Sequence, residues 1–331
     1  MEYAENVFPY SEFPQEKELK GEVIELDTAL FRCPFRIRVE GDKAIVLDLH
    51  GSDYYGHLFQ YPSFRYLSSF GRRGDSPLEM LSMENFRLHN HTLWTLDANK
   101  SELTRLDFSS SGDSLLREET VALDEDILRP LDFAIYNDTT FVIPDYSGES
   151  RFLKVDCKGK LIEKIGTIPT TNKKALQEAR PALAQAWRSF LDYNSHNSVL
   201  ATVTQLGEVV EIYNLKDSTH VIRVGEYDEP EFKVSDGYGI PTGIMGFSDV
   251  QVTDDAIYAV FHGTSFKDIA RQSGRLPDGG KYIYVFSLKG EPLCKYVLDH
   301  YIYGIWVDEV TKTIMATDVN NDQPILKFSF G

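Results

Sequence analysis

The stretch FLKVD at 152–156 indicates the fold class, because its pattern recurs along the whole chain. Each copy is a short apolar run that ends in an apolar residue followed by Asp, Asn, Ser or Pro. The copies are LFQYP at 58–62, LTRLD at 103–107, FLKVD at 152–156, VEIYN at 210–214, IYVFS at 283–287 and ILKFS at 325–329. Successive copies lie about 50 residues apart, which is the length of one four-stranded propeller blade.

Other strands can be read around each copy. A strand that ends in a polar residue precedes it, and these strands are VLD at 46–48, WTLD at 94–97, VIPD at 142–145, VTQ at 203–205, VFH at 260–262 and ATD at 316–318. They are rich in β-branched and aromatic residues, as half-buried strands are. Inner strands are predicted at 35–39, 86–88, 131–136, 187–193, 247–252 and 302–308, and outer strands at 65–70, 115–123, 161–168, 220–225 and 293–298.

The sixth copy lacks an outer strand, and the N-terminal run EVIELD at 22–27 can supply it. Pairing of that run with the last strand closes the ring and removes an open sheet edge. The sequence therefore predicts an all-β fold over 21–331, a six-bladed β-propeller of four-stranded blades closed by the N-terminal strand at 22–27. Residues 1–27 hold eight acidic side chains and two lysines, and residues 1–20 are predicted to be an acidic N-terminal tail.

One segment departs from the strand pattern. The run NKKALQEAR at 172–180 predicts a short helix with Asn172 as its N-cap, a helical excursion between blades three and four. The composition of 182–191 allows either a helix or a strand. We assign this segment to the inner strand of blade four, because the repeat requires a strand there.

The run FGRRGDSPLEM at 70–80 resembles the turn that introduces a blade in NHL-type propellers, and more closely the bacterial TolB-like six-bladed propeller family. Gly71, Gly74, Pro77 and Glu79 match the pattern, whereas Ser76 stands where the family has Gly and Met80 replaces an aromatic residue. The runs 225–231 and 246–261 look like the same family. These motifs are structural, so the resemblance implies a fold and no particular reaction.

Charge and composition exclude some classes of protein. The 331 residues include 34 basic and 51 acidic side chains, and the net charge of −17 argues against nucleic-acid binding. No apolar run is long enough for a transmembrane helix. Cys33, Cys157 and Cys294 are far apart and indicate neither a disulfide framework nor a zinc site. The N-terminal residues show no signal peptide, so a cytoplasmic protein and an exported mature form both stay open.

Four aspartates recur at the same strand end: Asp48, Asp97, Asp145 and Asp318. They invite comparison with the calcium site of lactonase-like propellers. An Asp before a turn more often caps backbone N–H groups, so we interpret these residues as turn caps and expect no metal or cofactor, with calcium as the alternative.

A ligand site is predicted on the loops between the second and third strands. His50, Tyr54, Tyr146 and His262 fall there, and Arg129 and Arg188 begin inner strands. Blade five carries an insertion, 264–280, that holds Lys267, Arg271 and Arg275 and has the length of a lid. The arginines would favour an anionic ligand. The predicted ligand-binding residues are His50, Tyr54, Arg129, Tyr146, Arg188, His262 and Arg271.

These observations predict a non-catalytic binding protein that recognises a small molecule, glycan or peptide at the mouth of the central channel, or a protein partner. A monomer is expected, since a closed ring leaves no edge to pair. The alternative is a calcium-dependent propeller enzyme, a hydrolase of the lactonase kind or a lyase.

Overall fold

The computed structural model describes residues 6–27, 31–272, 274 and 276–331. The strands are β1 (Val7–Pro9), β2 (Glu16–Leu19), β3 (Glu22–Ile24), β4 (Pro34–Glu40), β5 (Lys43–Asp48), β6 (Tyr54–Gln60), β7 (Arg65–Arg72), β8 (Met83–His89), β9 (Thr92–Asp97), β10 (Glu102–Phe108), β11 (Leu115–Ala122), β12 (Ala134–Asn137), β13 (Thr140–Pro144), β14 (Phe152–Asp156), β15 (Leu161–Ile165), β16 (Ser189–Asn194), β17 (Val199–Thr204), β18 (Val209–Asn214), β19 (Thr219–Val224), β20 (Phe232–Ser235), β21 (Tyr238–Pro241), β22 (Phe247–Val252), β23 (Ala256–Phe261), β24 (Gly280–Ser287), β25 (Pro292–Ile302), β26 (Ile305–Asp308), β27 (Thr313–Thr317) and β28 (Ile325–Ser329). The helices are α1 (Lys173–Glu178), α2 (Arg180–Ala186) and α3 (Phe266–Arg271).

Across the described residues these strands form six propeller blades and one separate hairpin, β20–β21. In chain order the blades are β4–β7, β8–β11, β12–β15, β16–β19, β22–β25, and β26–β28 with β3. The fold is therefore an all-β, six-bladed propeller, and the sequence prediction of the fold class is confirmed. The closing strand is shorter than predicted: Val23 pairs with Leu326 and Ile24 with Ile325 in antiparallel register.

Contacts divide the chain into two compact units. Unit 1 comprises the described parts of 1–20, 144–153 and 164–301, with blades four and five. Unit 2 comprises the described parts of 21–143, 154–163 and 302–331, with blades one, two and six. The strands of blade three are assigned partly to each unit. The sequence-based division into a tail and a single propeller domain stays a prediction.

Each unit has its own apolar core. In unit 2 one cluster joins blades one and two through Ile45, Leu58 and Phe86, all with no exposed surface. In unit 1 the helical segment shares a cluster with blade four, where Leu183 and Trp187 pack with Val209. Strands of alternating apolar residues bury one side against such clusters, and this burial stabilises the blades.

The helical excursion between blades three and four is confirmed. The Asn172 side chain caps α1 by accepting the amide of Ala175 at 3.0 Å. The strand predicted for 182–191 is wrong in its first half, because α2 continues to Ala186 and strand β16 begins only at Ser189. Burial explains the difference: the helical conformation places Ala182, Leu183 and Ala186 in the core, which a strand that exposes alternate residues could not do.

The N-terminal segment, which is part of unit 1, lies along blades four and five. Strand β1 pairs in parallel with β19, the outer strand of blade four, and β2 pairs in parallel with β25, the outer strand of blade five. These pairings extend two blades to five strands each. Residues 7–9 and 16–19, which the sequence places in an acidic tail, thus cover two sheet edges, and their charged side chains face water.

A buried histidine in unit 2 makes the stability of the fold depend on pH. His57 is 4% exposed, and its Nδ1 lies 2.8 Å from Ser69 Oγ. Burial lowers the pKa of His57 to about 4, against the opposing effect of the Asp48 charge. The unfolded chain, with a pKa near 6.5, therefore takes up the proton first. The stabilisation is complete above that pH and is lost as the pH falls toward 4.

We expect the wild-type protein to lose about 2 kcal/mol more than a His57→Gln variant in the free energy of unfolding between pH 7 and pH 5. Urea unfolding at both pH values measures the difference. His196→Gln is the matched control, because the His196 side chain is 79% exposed. Parallel pH profiles for the wild-type protein and His57→Gln would contradict this account.

Candidate functional site

A pocket of about 540 Å³ lies within unit 1. Four loop segments line it: residues 10–13 between β1 and β2, the loop that precedes β18 at Glu208, residues 226–227 after β19, and the loop 262–264 that follows β23. Side chains at the start of β24 and along β25 complete the wall. The pocket thus lies between blades four and five, and the N-terminal segment contributes part of its lining.

Phenylalanine and tyrosine side chains form part of the pocket wall. Tyr284 of β24 stacks on Phe261, with ring centroids 4.8 Å apart. The ring centroid of Phe13 lies 4.7 Å from that of Tyr284. Tyr10 meets Phe13 edge to face at 5.7 Å. The backbone amide of Tyr10 donates to the carbonyl of Val224 at 2.9 Å, and this bond continues the β1–β19 pairing. The strand pairing therefore fixes the part of the N-terminal segment that lines the pocket.

Charged groups in the lining are mostly acidic. Glu12, Glu16, Glu208 and Glu226 line the pocket together with two lysines, Lys281 and Lys295. Lys295 forms a salt bridge of 3.0 Å with Glu16, and its Nζ lies 4.8 Å from the ring centre of Tyr282. Lys281 lies over Tyr301 at 5.4 Å. Both ammonium groups are thus held by groups of the wall.

Glu208 is the buried acid of the pocket, with 3% of its surface exposed. Its Oε2 accepts the backbone amide of Tyr227 at 3.1 Å. Glycine is needed at position 225, since a Cβ there would lie 1.9 Å from the Glu208 carboxylate carbon. Burial raises the pKa of Glu208, because the charged form loses its hydration.

Tyr10 brings a buried hydroxyl to the same pocket. The residue is 9% exposed, and its hydroxyl lies close enough to the Glu208 carboxylate to interact with it. Burial raises the pKa of Tyr10, and the negative charge of Glu208 raises it further. The hydroxyl is therefore protonated at neutral pH, and its oxygen keeps lone pairs that can accept a hydrogen bond from a bound molecule.

His262 is the one residue of the predicted ligand set that lines this pocket. It is 8% exposed, and its backbone amide donates to the carbonyl of Gly246 at 2.9 Å. Burial lowers the pKa of His262 to about 4, opposed by the charge of Asp278. The imidazole is thus neutral at pH 7, which leaves the lysines as the cations of the lining.

The other predicted ligand residues lie elsewhere, and their role stays a prediction. In unit 1, Tyr146 and Arg188 are half-buried and Arg271 is exposed in the last turn of α3; none belongs to the described lining of the pocket. In unit 2, His50, Tyr54 and Arg129 are exposed. Arg275 lies outside the described residues. The insertion does join the second and third strands of blade five, as predicted.

The repeated aspartates are turn caps, as predicted. Asp48 accepts the amides of Arg32 and Cys33, each at 2.8 Å. Asp97, Asp145 and Asp318 accept backbone amides in the same way, from Leu81 at 2.7 Å, Ser147 at 2.8 Å and Asn320 at 2.8 Å. These carboxylates therefore hold turns and strand ends in place. No cluster of three or more His, Cys, Asp or Glu arranged for a metal occurs within the described ranges.

Blades four and five lack this aspartate and carry Gln205 and His262 instead. Their loops are the ones that line the pocket. The interrupted aspartate repeat is therefore a signal in the sequence that could have located the site. Glu208, Tyr10 and the aromatic wall carry no such signal, because they come together only through the strand pairing.

Known proteins resemble this chain in sequence and in fold. A family model described as TolB-like 6-blade propeller-like matches residues 12–310. A putative exported protein from Bacteroides fragilis NCTC 9343 superposes with a TM-score of 0.61 at 12% identity, covering 97% of this chain and 98% of that one. No curated protein sequence matches. No helix in the described part of the chain is long and apolar enough to cross a membrane.

Two further solved structures share the fold. A member of the DUF4221 family from Bacteroides vulgatus ATCC 8482 has a TM-score of 0.59 at 11% identity, covering 95% of this chain and 98% of that one. A protein described as an auxiliary nutrient binding protein from Bacteroides ovatus ATCC 8483 has a TM-score of 0.56 at 10% identity, covering 91% and 70%. Identities this low show the shared fold alone.

Proposed function

The chain belongs to the TolB-like six-bladed propeller family, and from that premise we propose that it is a non-catalytic binding protein. Its ligand is a small molecule, a glycan unit or part of a peptide, held in the pocket between blades four and five. The pocket itself is the observation that carries the proposal. One structural neighbour is described as an auxiliary nutrient binding protein, which supports a binding role for this fold in general terms.

The pocket has the properties of a ligand site. Its volume of about 540 Å³ suits a small organic molecule, and its lining combines aromatic rings with charged groups that can orient a polar ligand. Phe261 and Tyr284 are fixed by mutual stacking, so the wall is formed before a ligand arrives. A preformed wall lowers the ordering cost of binding.

The calcium-dependent enzyme that the sequence left as the alternative has less support. Its metal would rest on the repeated aspartates, and Asp48, Asp97 and Asp145 each hold backbone amides with their carboxylate oxygens. A binding site in the pocket needs none of them.

Blocking the pocket tests the proposal. Ser11 is exposed and lines the pocket, so Ser11→Trp should fill the entrance without disturbing the core. Saturation-transfer NMR with a mixture of sugars, amino acids and short peptides should detect ligands with wild-type protein and lose their signals by at least tenfold with Ser11→Trp. Ser195→Trp, at an exposed serine in the turn between β16 and β17, is the matched control.

The control variant should bind as the wild-type protein does. Equal ligand signals from the wild-type protein and Ser11→Trp would place binding outside this pocket and reject the site. Absence of any signal with the wild-type protein would reject a small-ligand function.

A further inference from the structure

We propose that the ligand of this pocket carries a primary ammonium group, which binds between the Glu208 carboxylate and the Tyr10 hydroxyl and lies against the aromatic wall. This inference rests on the proposed function, since it names the chemistry of the molecule that the pocket holds. Four observations carry it: a buried acid, a buried hydroxyl, the aromatic rings and the charge of the lining.

Glu208 lacks a counter-charge. It is 3% exposed, and the donors beside its carboxylate are neutral groups, namely the Tyr10 hydroxyl and the backbone amides of Glu226 and Tyr227. Within the described part of the chain it has no salt-bridge partner. Neutral donors offset only part of the hydration that a buried carboxylate loses, and a cation offsets more of it. A cation delivered by a ligand would supply the pair that the protein does not.

Tyr10 supplies a second polar group for the same cation. Its hydroxyl is buried in the pocket beside the Glu208 carboxylate, and the phenol oxygen keeps lone pairs that can accept a hydrogen bond. The ring is held in place by edge-to-face contacts with Phe13 at 5.7 Å and Phe286 at 5.4 Å. A primary ammonium has three N–H donors, so it can bind the carboxylate and the phenol oxygen together, whereas a quaternary ammonium has none.

The rings of the wall suit the same group. The pocket's own lysines already lie over two tyrosines, Lys295 over Tyr282 at 4.8 Å and Lys281 over Tyr301 at 5.4 Å. Ammonium groups are attracted to aromatic faces, more strongly in a desolvated site. The stacked Phe261 and Tyr284 offer a further aromatic surface near Glu208.

The charge of the lining also favours a cation over an anion. Glu16 is neutralised by Lys295, whereas Glu12, Glu208 and Glu226 have no salt-bridge partner among the residues described. The whole protein carries a net charge of −17, which attracts cations from solution. The anionic ligand suggested by Lys267, Arg271 and Arg275 in the sequence would meet repulsion in this pocket.

The ammonium group can belong to a free amine or to the lysine side chain of a peptide. Isothermal titration calorimetry at pH 7.5 with two pairs of probes separates these sources. The first pair is pentylamine and 1-pentanol, of equal chain length but different charge. The second pair is acetyl-Gly-Lys-Gly-amide and the same peptide acetylated on the lysine Nζ.

We expect wild-type protein to bind pentylamine at least tenfold more tightly than 1-pentanol. Glu208→Gln should reduce the affinity for pentylamine at least tenfold and leave that for 1-pentanol unchanged. Glu178→Gln, at an exposed acid of α1 outside the described lining of the pocket, is the matched control and should change either affinity less than twofold. If the ammonium group belongs to a lysine side chain of a peptide, the lysine peptide should bind more tightly than pentylamine. Acetylation of the lysine Nζ should then remove this binding.

Thermal unfolding of Glu208→Gln distinguishes a ligand site from a structural one. Because the variant removes an uncompensated buried charge, its midpoint should equal or exceed that of the wild-type protein. Should that variant fail to fold, Tyr10→Phe removes only the hydroxyl and should weaken pentylamine binding several-fold, with 1-pentanol unaffected.

Equal affinities of wild-type protein for pentylamine and 1-pentanol would overturn the ammonium proposal. Failure to bind both pentylamine and the lysine peptide would also overturn it. So would unchanged amine binding in Glu208→Gln. The proposed function has a separate readout: ligand signals that Ser11→Trp abolishes keep the pocket as a binding site even when the ammonium probes fail.

Discussion

Replacement of Glu211 by Gln should lower the free energy of unfolding by about 3–5 kcal/mol, because it leaves a buried guanidinium without its counter-charge. Arg151 and Glu211 are both buried in unit 1, and Arg151 Nη2 and Nε donate to Glu211 Oε1 at 2.6 and 2.8 Å. The Tyr213 hydroxyl donates to Oε2 at 2.7 Å. The guanidinium also donates to Ser189 Oγ at 2.8 Å.

Burial alone would raise the pKa of Glu211, but the Arg151 charge and the hydrogen bonds to the carboxylate lower it to about 2. The folded-state pKa is thus below the unfolded value near 4.5. The ion pair contributes its full stability above that pH and loses it as the pH falls toward 2. Urea unfolding at pH 7 measures the effect of Glu211→Gln where the whole contribution is present.

The exposed pair of Lys154 and Glu163 provides the control. Its atoms are 3.6 Å apart and Glu163 is 57% exposed, so Glu163→Gln should cost about 1 kcal/mol or less. A loss below about 1 kcal/mol for Glu211→Gln as well would contradict the role assigned to burial. Replacement of both Arg151 and Glu211 by Met should recover much of the loss, since no charge then remains buried.

Replacement of Gly159 by Ala should cost about 3 kcal/mol or more, for two reasons that add. Gly159 has a φ of +82°, in the region that L residues avoid. A Cβ would also lie 2.0 Å from the carbonyl oxygen of Ala122, a backbone atom that cannot turn away. To relieve this clash the turn must move, which weakens the 2.8 Å bond from the Asp124 amide to the Gly159 carbonyl.

Gly237, in the turn of the β20–β21 hairpin, is the comparison that shows the cost of the backbone conformation without a steric clash. Its φ of +83° is nearly the same, but a Cβ there would have no neighbour within 4 Å. Gly237→Ala should therefore show the conformational cost alone, about 1–2 kcal/mol. Denaturant unfolding of both variants gives the comparison, and equal losses would show that the contact with Ala122 is unimportant.

The blades could be predicted from the sequence because their signals are local. Alternating apolar residues and polar strand ends recur in each blade, and the strand missing from the last copy identified β3 as its partner. The same reasoning failed at 182–186, where the repeat was given more weight than a composition that suits a helix. Strands β1 and β2 escaped prediction because parallel edge pairing leaves no local pattern, and the charges of Glu16, Lys17 and Glu18 resemble those of a solvated tail.

The site could be predicted only in part. His262 was singled out because it occupies a recurring loop position, and the structure places it in the pocket lining. Tyr10 and Glu208 are almost two hundred residues apart in sequence, and only the pairing of β1 with β19 brings their segments together. A single sequence shows each residue type but not that juxtaposition. The interrupted aspartate repeat was visible, yet it had meaning only once the other aspartates were known to be caps.

During synthesis, the N-terminal segment is made long before the residues that it contacts in the folded protein. Asn6 hydrogen-bonds with His220, 214 residues later, and Leu26 with Gln323, 297 residues later. On the ribosome, Tyr10 and Phe13 therefore emerge long before their partners exist, and such distant contacts form slowly. Until β1 and β2 attach, nascent blades four and five offer open outer edges to other chains. The segment that lines the pocket thus also covers two outer sheet edges that would otherwise be open to pairing with other chains.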